Sequence, residues 1–126
     1  MKIKSVSGIV CYVADLKQTV KFYKVLGFAF KEVAKFHAKG YINWFWIDFI
    51  AAGSENKEAF KKEANSKNKG LGSFLYLSVE DVDKAYLELK KKGYPPATEP
   101  KDWPWGNREF VVRDPDGYKL VVYRKL

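Results

Sequence analysis

Apolar positions along the chain follow two rhythms, and the order in which they occur repeats. Val6 to Val13 is a dense apolar run of strand length, and it gives way to Leu16, Val20 and Tyr23 at the spacing of one helix face. Ser73 to Val79 and then Val82, Ala85, Tyr86 and Leu89 repeat the same progression. A shift of 66 residues places Val13 on Val79, Asp15 on Asp81, Leu16 on Val82, Gly27 on Gly93 and Phe28 on Tyr94. The sequence is an internal duplication of a strand followed by a helix that packs on a sheet.

The helix ends are written into both copies. Asp15 and Asp81 can each accept a hydrogen bond from the first free amides of a helix, and Gln18 stands three residues after Asp15, the spacing of a capping box. Gly27 and Gly93 fall where a left-handed residue ends a helix, and an aromatic residue follows each. Beyond them, Phe28 to Phe36 and Tyr41 to Ile50, and later Glu109 to Arg113 and Tyr118 to Arg124, are rich in aromatic and branched residues and read as strands. Asp114-Pro115-Asp116-Gly117 separates the last two, with proline presetting the first turn position and glycine accepting positive φ, which predicts a hairpin with a bulge. Glu55 to Ala64 fits either a short helix or a stretch that contains the last strand of the first copy.

Two copies of strand, helix and strands joined by a Gly-containing linker resemble the vicinal oxygen chelate superfamily of glyoxalases, bleomycin-resistance proteins and extradiol dioxygenases. The resemblance is most specific where Trp105-Gly106-Asn107-Arg108-Glu109-Phe110 leads into Asp114-Pro115-Asp116-Gly117-Tyr118, as in the bleomycin-resistance and glyoxalase-like branch. The paired Val-x-Asp segments, Phe22-Tyr23 and Leu26-Gly27-Phe28 add to it. The resemblance implies an α+β fold in which two tandem βαβββ modules form a curved mixed sheet around a cup, with helices on the outer face. It implies one domain over residues 1–126, with module one about 1–60, a linker about 61–70 and module two about 71–126. It also implies a cup often completed by a second subunit, and so a homodimer.

Metal enzymes of that family place ligands on the first, fifth and eighth strands and late in the first module. Measured from the aspartates and the final turn, three of those positions fall on Gly8, Phe74 and Val121, whose side chains cannot bind a metal. The fourth falls on Asp48 or a nearby Glu, and one carboxylate alone makes no metal site. The expectation is a cup without metal or other cofactor.

Strand alternation fills the cup with other groups. In Tyr41 to Ile50, Phe45, Ile47 and Phe49 suit the helix side, which leaves Trp44, Trp46 and Asp48 on the other face. A hairpin with the glycine bulge puts Phe110 and Val112 with Leu120 and Val122, and Glu109 and Val111 beside Val121 and Tyr123. Gly8, Val10, Tyr12, Phe74 and Tyr76 join the inner set by the same alternation. Trp103-Pro104-Trp105-Gly106 precedes an inner strand, where Trp105 either closes over the cup or packs within the motif. His37, the only histidine, is placed in a turn from Phe36 to Gly40 with no acidic neighbour in sequence, the usual setting of a surface residue.

An aromatic lining with a few polar tips suits a flat or apolar small molecule, because aromatic walls supply contact area at small entropy cost. The other reading of a chain that is 17% aromatic is core or dimer interface. The expected function is metal-independent binding of a small, largely apolar or aromatic molecule, as in sequestration or resistance. The expected contacts are Tyr12, Trp44, Trp46, Asp48, Phe74, Tyr76, Trp105, Glu109, Val121 and Tyr123. A metal-free lyase or isomerase with Asp48 or Glu109 as its base is the alternative, since desolvation among tryptophans raises a carboxylate's pKa.

Composition narrows the partners. The chain has 23 Lys and Arg against 15 Asp and Glu, a net charge of +8, so a polyanion has to be considered. Much of that charge is lysine in Lys57 to Lys69 and Lys90 to Lys92, which reads as a solvated face, not as a specific nucleic-acid reader. A single cysteine fits a reducing compartment, and Cys11 reads as a small buried residue. The first residues, Met1 to Val13, carry two lysines before an apolar stretch but no small-x-small cleavage pattern, so the expected location is cytoplasmic. No apolar run approaches the roughly 18 to 20 residues that span a bilayer, and no membrane partner is expected.

Overall fold

The duplicated pattern becomes two copies of one βαβββ module. The computed structural model describes all 126 residues, in two units, Met1–Lys67 and Asn68–Leu126. The first contains β1 (Gly8–Val13), α1 (Leu16–Val25), β2 (Ala29–Val33), β3 (His37–Ile42), β4 (Phe45–Ala51) and α2 (Glu58–Ala64). The second contains β5 (Leu75–Ser78), α3 (Val82–Lys91), β6 (Lys101–Asp102), β7 (Asn107–Arg113) and β8 (Lys119–Lys125). Each unit has a four-stranded mixed sheet, ordered β1-β4-β3-β2 in one and β5-β8-β7-β6 in the other. The first strand of each runs parallel to the last, and the remaining pairs are antiparallel.

The predicted helix ends are the observed ones. Asp15 accepts from the Gln18 amide at 3.1 Å and Asp81 from the Lys84 amide at 3.0 Å, so each carboxylate satisfies a donor that the helix leaves free. Gly27 and Gly93 follow the C-caps with φ of 99° and 87°, a conformation glycine adopts without the clash of a Cβ. The last hairpin also forms as its sequence predicts. Gly117 has φ 93°, its amide donates to the Asp114 carbonyl at 2.9 Å, and the Asp114 amide donates to the Tyr118 carbonyl at 2.9 Å. That is a three-residue hairpin loop closed by a glycine in the left-handed conformation.

The core of each unit lies between its long helix and the sheet face turned toward it. In the first unit Val20, Phe22 and Tyr23 of α1 are buried with Val13, Ala38, Ile47 and Phe49, and the Tyr23 and Phe49 rings approach to 4.5 Å. In the second, Val82 and Leu89 of α3 are buried with Phe110, Val112, Leu120 and Val122, and Tyr86 meets Phe110 edge-on at 5.5 Å. Phe45, Ile47 and Phe49 thus belong to the helix-facing set of β4, as alternation requires. Cys11 is buried in the same unit.

Two expectations are corrected here. Tyr41 to Ile50 is not one strand: Asn43, with φ 53°, and Trp44 form a two-residue turn between β3 and β4, so Trp44 sits exposed at a turn and not on a strand face. Asparagine tolerates the left-handed region, and this was enough to reverse the chain without a glycine. His37 is not in a turn, because the reversal between β2 and β3 lies at Ala34 to Phe36, where the Ala34 amide donates to the His37 carbonyl, and His37 opens β3. The open question over Glu55 to Ala64 resolves as a helix from Glu58, since β4 already supplies the last strand of the first unit. In the second unit β6 is only two residues long, which fits a preceding segment carrying Pro95, Pro96 and Pro100, residues that cannot donate to a ladder.

Candidate functional site

Strand register fixes which side chains share the sheet face turned away from each helix. In the first unit Gly8, Trp46 and Tyr41 form one cross-strand row; Val10, Asp48 and Lys39 form the next; Tyr12, Ile50 and His37 form the third. In the second unit Tyr76 pairs with Val121 and Val121 with Val111, while Ser78 pairs with Tyr123 and Tyr123 with Glu109. Phe74 immediately precedes β5. Asp48 in β4 and Val121 in β8 are equivalent positions, since each pairs with the residue of the parallel first strand that the 66-residue shift superimposes, Val10 in one unit and Tyr76 in the other.

The polar groups on the first face are connected. His37 Nδ1 lies 3.2 Å from Asp48 Oδ1, diagonally across the β3–β4 pair. Lys39 holds its ammonium 4.4 Å from the centre of the Trp46 ring, a cation–π distance. Tyr12 donates to Glu55 Oε2 at 2.7 Å, a bond that raises the phenol's pKa above its ordinary value because it favours the protonated form. Glu55 is held below the usual carboxylate range, first by the Lys57 amide and then by the Tyr12 hydroxyl. Sequence reasoning gave His37 no acidic neighbour because the partner lies 11 residues away and is brought in only by β3–β4 register.

The second face places a carboxylate among aromatics. Glu109 is 7% exposed, and the Tyr76 hydroxyl and Asn107 amide donate to it at 3.5 and 3.3 Å. Tyr76 and Tyr123 meet edge-on at 5.3 Å. Burial and the Glu109 carboxylate push the Tyr76 phenol upward in pKa, since both oppose a phenolate. Val121 is buried, and Phe74 is exposed with the Lys119 ammonium 4.1 Å from its ring centre. Trp105 stacks on Trp103 at 4.7 Å and 9°, with Lys101 over Trp103, so the two indoles of the Trp-Pro-Trp loop make a common platform.

The donor chemistry does not fit a divalent metal at the positions implied by resemblance. Phe74 and Val121 offer only carbon atoms. Gly8 has no side chain, and a Cβ built on it would collide with the Trp46 carbonyl and indole, so the indole takes the place where a ligand side chain would begin. Asp48 supplies a carboxylate and is already joined to His37, Glu55 accepts from Tyr12 and Lys57, and no three His, Cys, Asp or Glu side chains cluster as a ligand set.

Relationships to known proteins agree with the duplicated module. A curated relative, the uncharacterized protein YraH of Bacillus subtilis (strain 168), is 37% identical over 73 residues, 57% of this chain and 53% of that protein, so the match spans about half the length of the relative. The crystal structure of a glyoxalase/bleomycin resistance protein/dioxygenase from Nocardioides is similar with a TM-score of 0.78 at 18% identity, covering 100% of this chain and 86% of that one. A family enzyme from Burkholderia phytofirmans PsJN gives a TM-score of 0.78 at 19% identity over 95% and 98% of the two chains. No helix is long and apolar enough to cross a membrane. With its family model matching residues 5–122 and its strands arranged as two βαβββ modules, the chain belongs to the Glyoxalase/Bleomycin resistance protein/Dioxygenase superfamily.

Proposed function

We propose that the protein binds a small, largely apolar or aromatic molecule on the sheet faces turned away from its helices, without a metal, in the manner of a sequestering or resistance protein. One observation carries this reading: those faces leave large apolar side chains in solvent, with Val10 51%, Phe74 54% and Tyr76 48% exposed. A ligand that covers such side chains removes apolar surface from water. Lys39 at Trp46 and Lys119 at Phe74 place a cation beside an aromatic ring in each unit, which favours a ligand carrying a negative group next to its flat part. The protein is cytoplasmic and homodimeric in this proposal, with ligand contacts from Tyr12, Trp46 and Asp48 on the face of the first unit and from Phe74, Tyr76, Glu109 and Tyr123 on the face of the second.

The test is a fluorescence titration of flat aromatic compounds, with and without a carboxylate, against wild type, Trp46→Ala and Lys39→Met. A ligand should change wild-type emission saturably and bind Trp46→Ala more weakly by about 1 to 3 kcal/mol, the usual cost of losing a stacked aromatic. Lys39→Met leaves Trp46 in place and should weaken the carboxylates selectively. Hits that bind both variants as they bind wild type would make these aromatics core or interface and end the proposal.

A further inference from the structure

We propose that His37 is the general base of a metal-free proton-transfer site, positioned by Asp48, acting on a flat aromatic or apolar molecule with an acidic C–H bond. The inference rests on the reading of the first sheet face as a ligand surface and adds chemistry to it. Three groups from adjacent strands meet the requirements. His37 Nδ1 lies 3.2 Å from Asp48 Oδ1. A carboxylate can only accept, so Nδ1 carries the proton of this bond, and in the neutral imidazole the lone pair is left on Nε2. The imidazole is 43% exposed and the carboxylate 19%, so the base is open to a ligand while the group that orients it is mostly covered. Lys39, two residues along the same strand and on the same face, brings a cation to the Trp46 ring. A base, an aromatic plane and a positive charge thus share one rigid sheet.

The division of labour differs from a carboxylate base. Asp48 is the positioning residue, fixing the ring and its tautomer, and His37 takes the proton. When Nε2 accepts the proton of the C–H bond, the electron pair passes to an electronegative atom of the substrate, where Lys39 stabilises the developing charge. A second proton transfer from the imidazolium completes an isomerisation or an elimination, and no oxidant or reductant enters.

Nitrobenzisoxazole is a suitable probe because it is flat, aromatic and opens by a single proton abstraction. Its ring C–H loses the proton as the N–O bond breaks, giving a coloured cyanophenolate with no other reactant. Wild type should open it roughly 100-fold faster than His37→Gln, a typical contribution of one positioned base. Asp48→Asn should lower kcat at least roughly tenfold with KM nearly unchanged, and nitrogen NMR should show the single imidazole changing from protonation at Nδ1 to a mixture of tautomers. An Asp48→Asn variant with wild-type kcat and tautomer would remove Asp48 from this role. Quenching of tryptophan emission reports binding separately. Saturable quenching with equal rates for wild type and His37→Gln overturns the base and leaves ligand binding standing. Turnover that depends on His37 but never saturates supports the base and removes the binding surface.

Discussion

Trp46 occupies the space that any side chain on Gly8 would need, and the two residues are direct partners in the parallel β1–β4 pair. Glycine at this position is therefore a packing requirement, and the position cannot simply be refilled with a metal ligand. Gly8→Ala should destabilise the fold by about 1 to 3 kcal/mol, the cost of overpacking a site whose neighbour is backbone. Urea denaturation of the two proteins measures it. Gly8→His should lose at least as much stability and gain no tight zinc or nickel site by calorimetry. A Gly8→His protein as stable as wild type would mean that the indole yields easily.

The two helix caps give a paired test of the duplication. Asp15 and Asp81 make the same bond to the third residue of α1 and α3, at 3.1 and 3.0 Å, and neither helix has another side chain in that role. Asp15→Ala and Asp81→Ala should each cost about 1 kcal/mol, measured as a fall in the midpoint of chemical unfolding. Loss of stability in one variant only would show that one cap is redundant in its module.

What could be read from the sequence was what depends on near neighbours. Caps, helix stops and the Asp114 to Gly117 turn each need only a few residues, and the duplication shows each of the helix signals twice. The face assignments of β4, β7 and β8 followed because alternation is local as well. Trp44 is not legible as a turn residue because Asn43-Trp44 sits inside an aromatic run and reverses it without glycine or proline. The α2 helix was ambiguous because Lys57 supplies no side-chain cap and Ala64 is its single buried residue, so neither a start signal nor an apolar face was there to read. The bond between His37 and Asp48 exists only through register between β3 and β4, and that register is set by the unmarked turn at Asn43-Trp44.

Arg108 predicts how the second unit responds to acid. Its guanidinium donates to both carboxylate oxygens of Asp83, at 3.0 and 2.8 Å, and to Asp102 at 2.9 Å, tying α3 to the β6–β7 edge. These bonds hold Asp83 below the usual carboxylate range and push Arg108 upward. A carboxyl depressed in the folded state adds stability above its unfolded pKa of about 3.9, and the contribution is lost as pH falls through the lower folded value. Stability curves of wild type and Arg108→Met should therefore lie apart at neutral pH and converge below about pH 4. Curves that keep a constant separation into strong acid would show that Arg108 acts through packing of its stem.

Net charge makes the last prediction, on polyanions. The three arginines are engaged within the chain: Arg108 with Asp83 and Asp102, Arg113 donating to the Gly117 carbonyl at 3.0 Å, and Arg124 donating to the Lys125 carbonyl at 3.2 Å. The remaining positive charge is lysine, including Lys17, Lys21, Lys24 and Lys35 around an apolar groove of about 490 Å³ between α1 and the turn after β2. Lysine attracts phosphate as a point charge, whereas reading base edges relies on bidentate side chains, and arginine is foremost among them. Binding to a labelled DNA duplex should therefore be weak, independent of sequence, and steeply reduced by salt as counterions are released. Fluorescence anisotropy at 50 and 200 mM salt measures it, with Kd expected in the range of about 10⁻⁶ to 10⁻⁴ M near physiological ionic strength. Submicromolar affinity that survives the higher salt, or preference for one sequence over another, would require a built nucleic-acid surface and would displace the small molecule as the main partner.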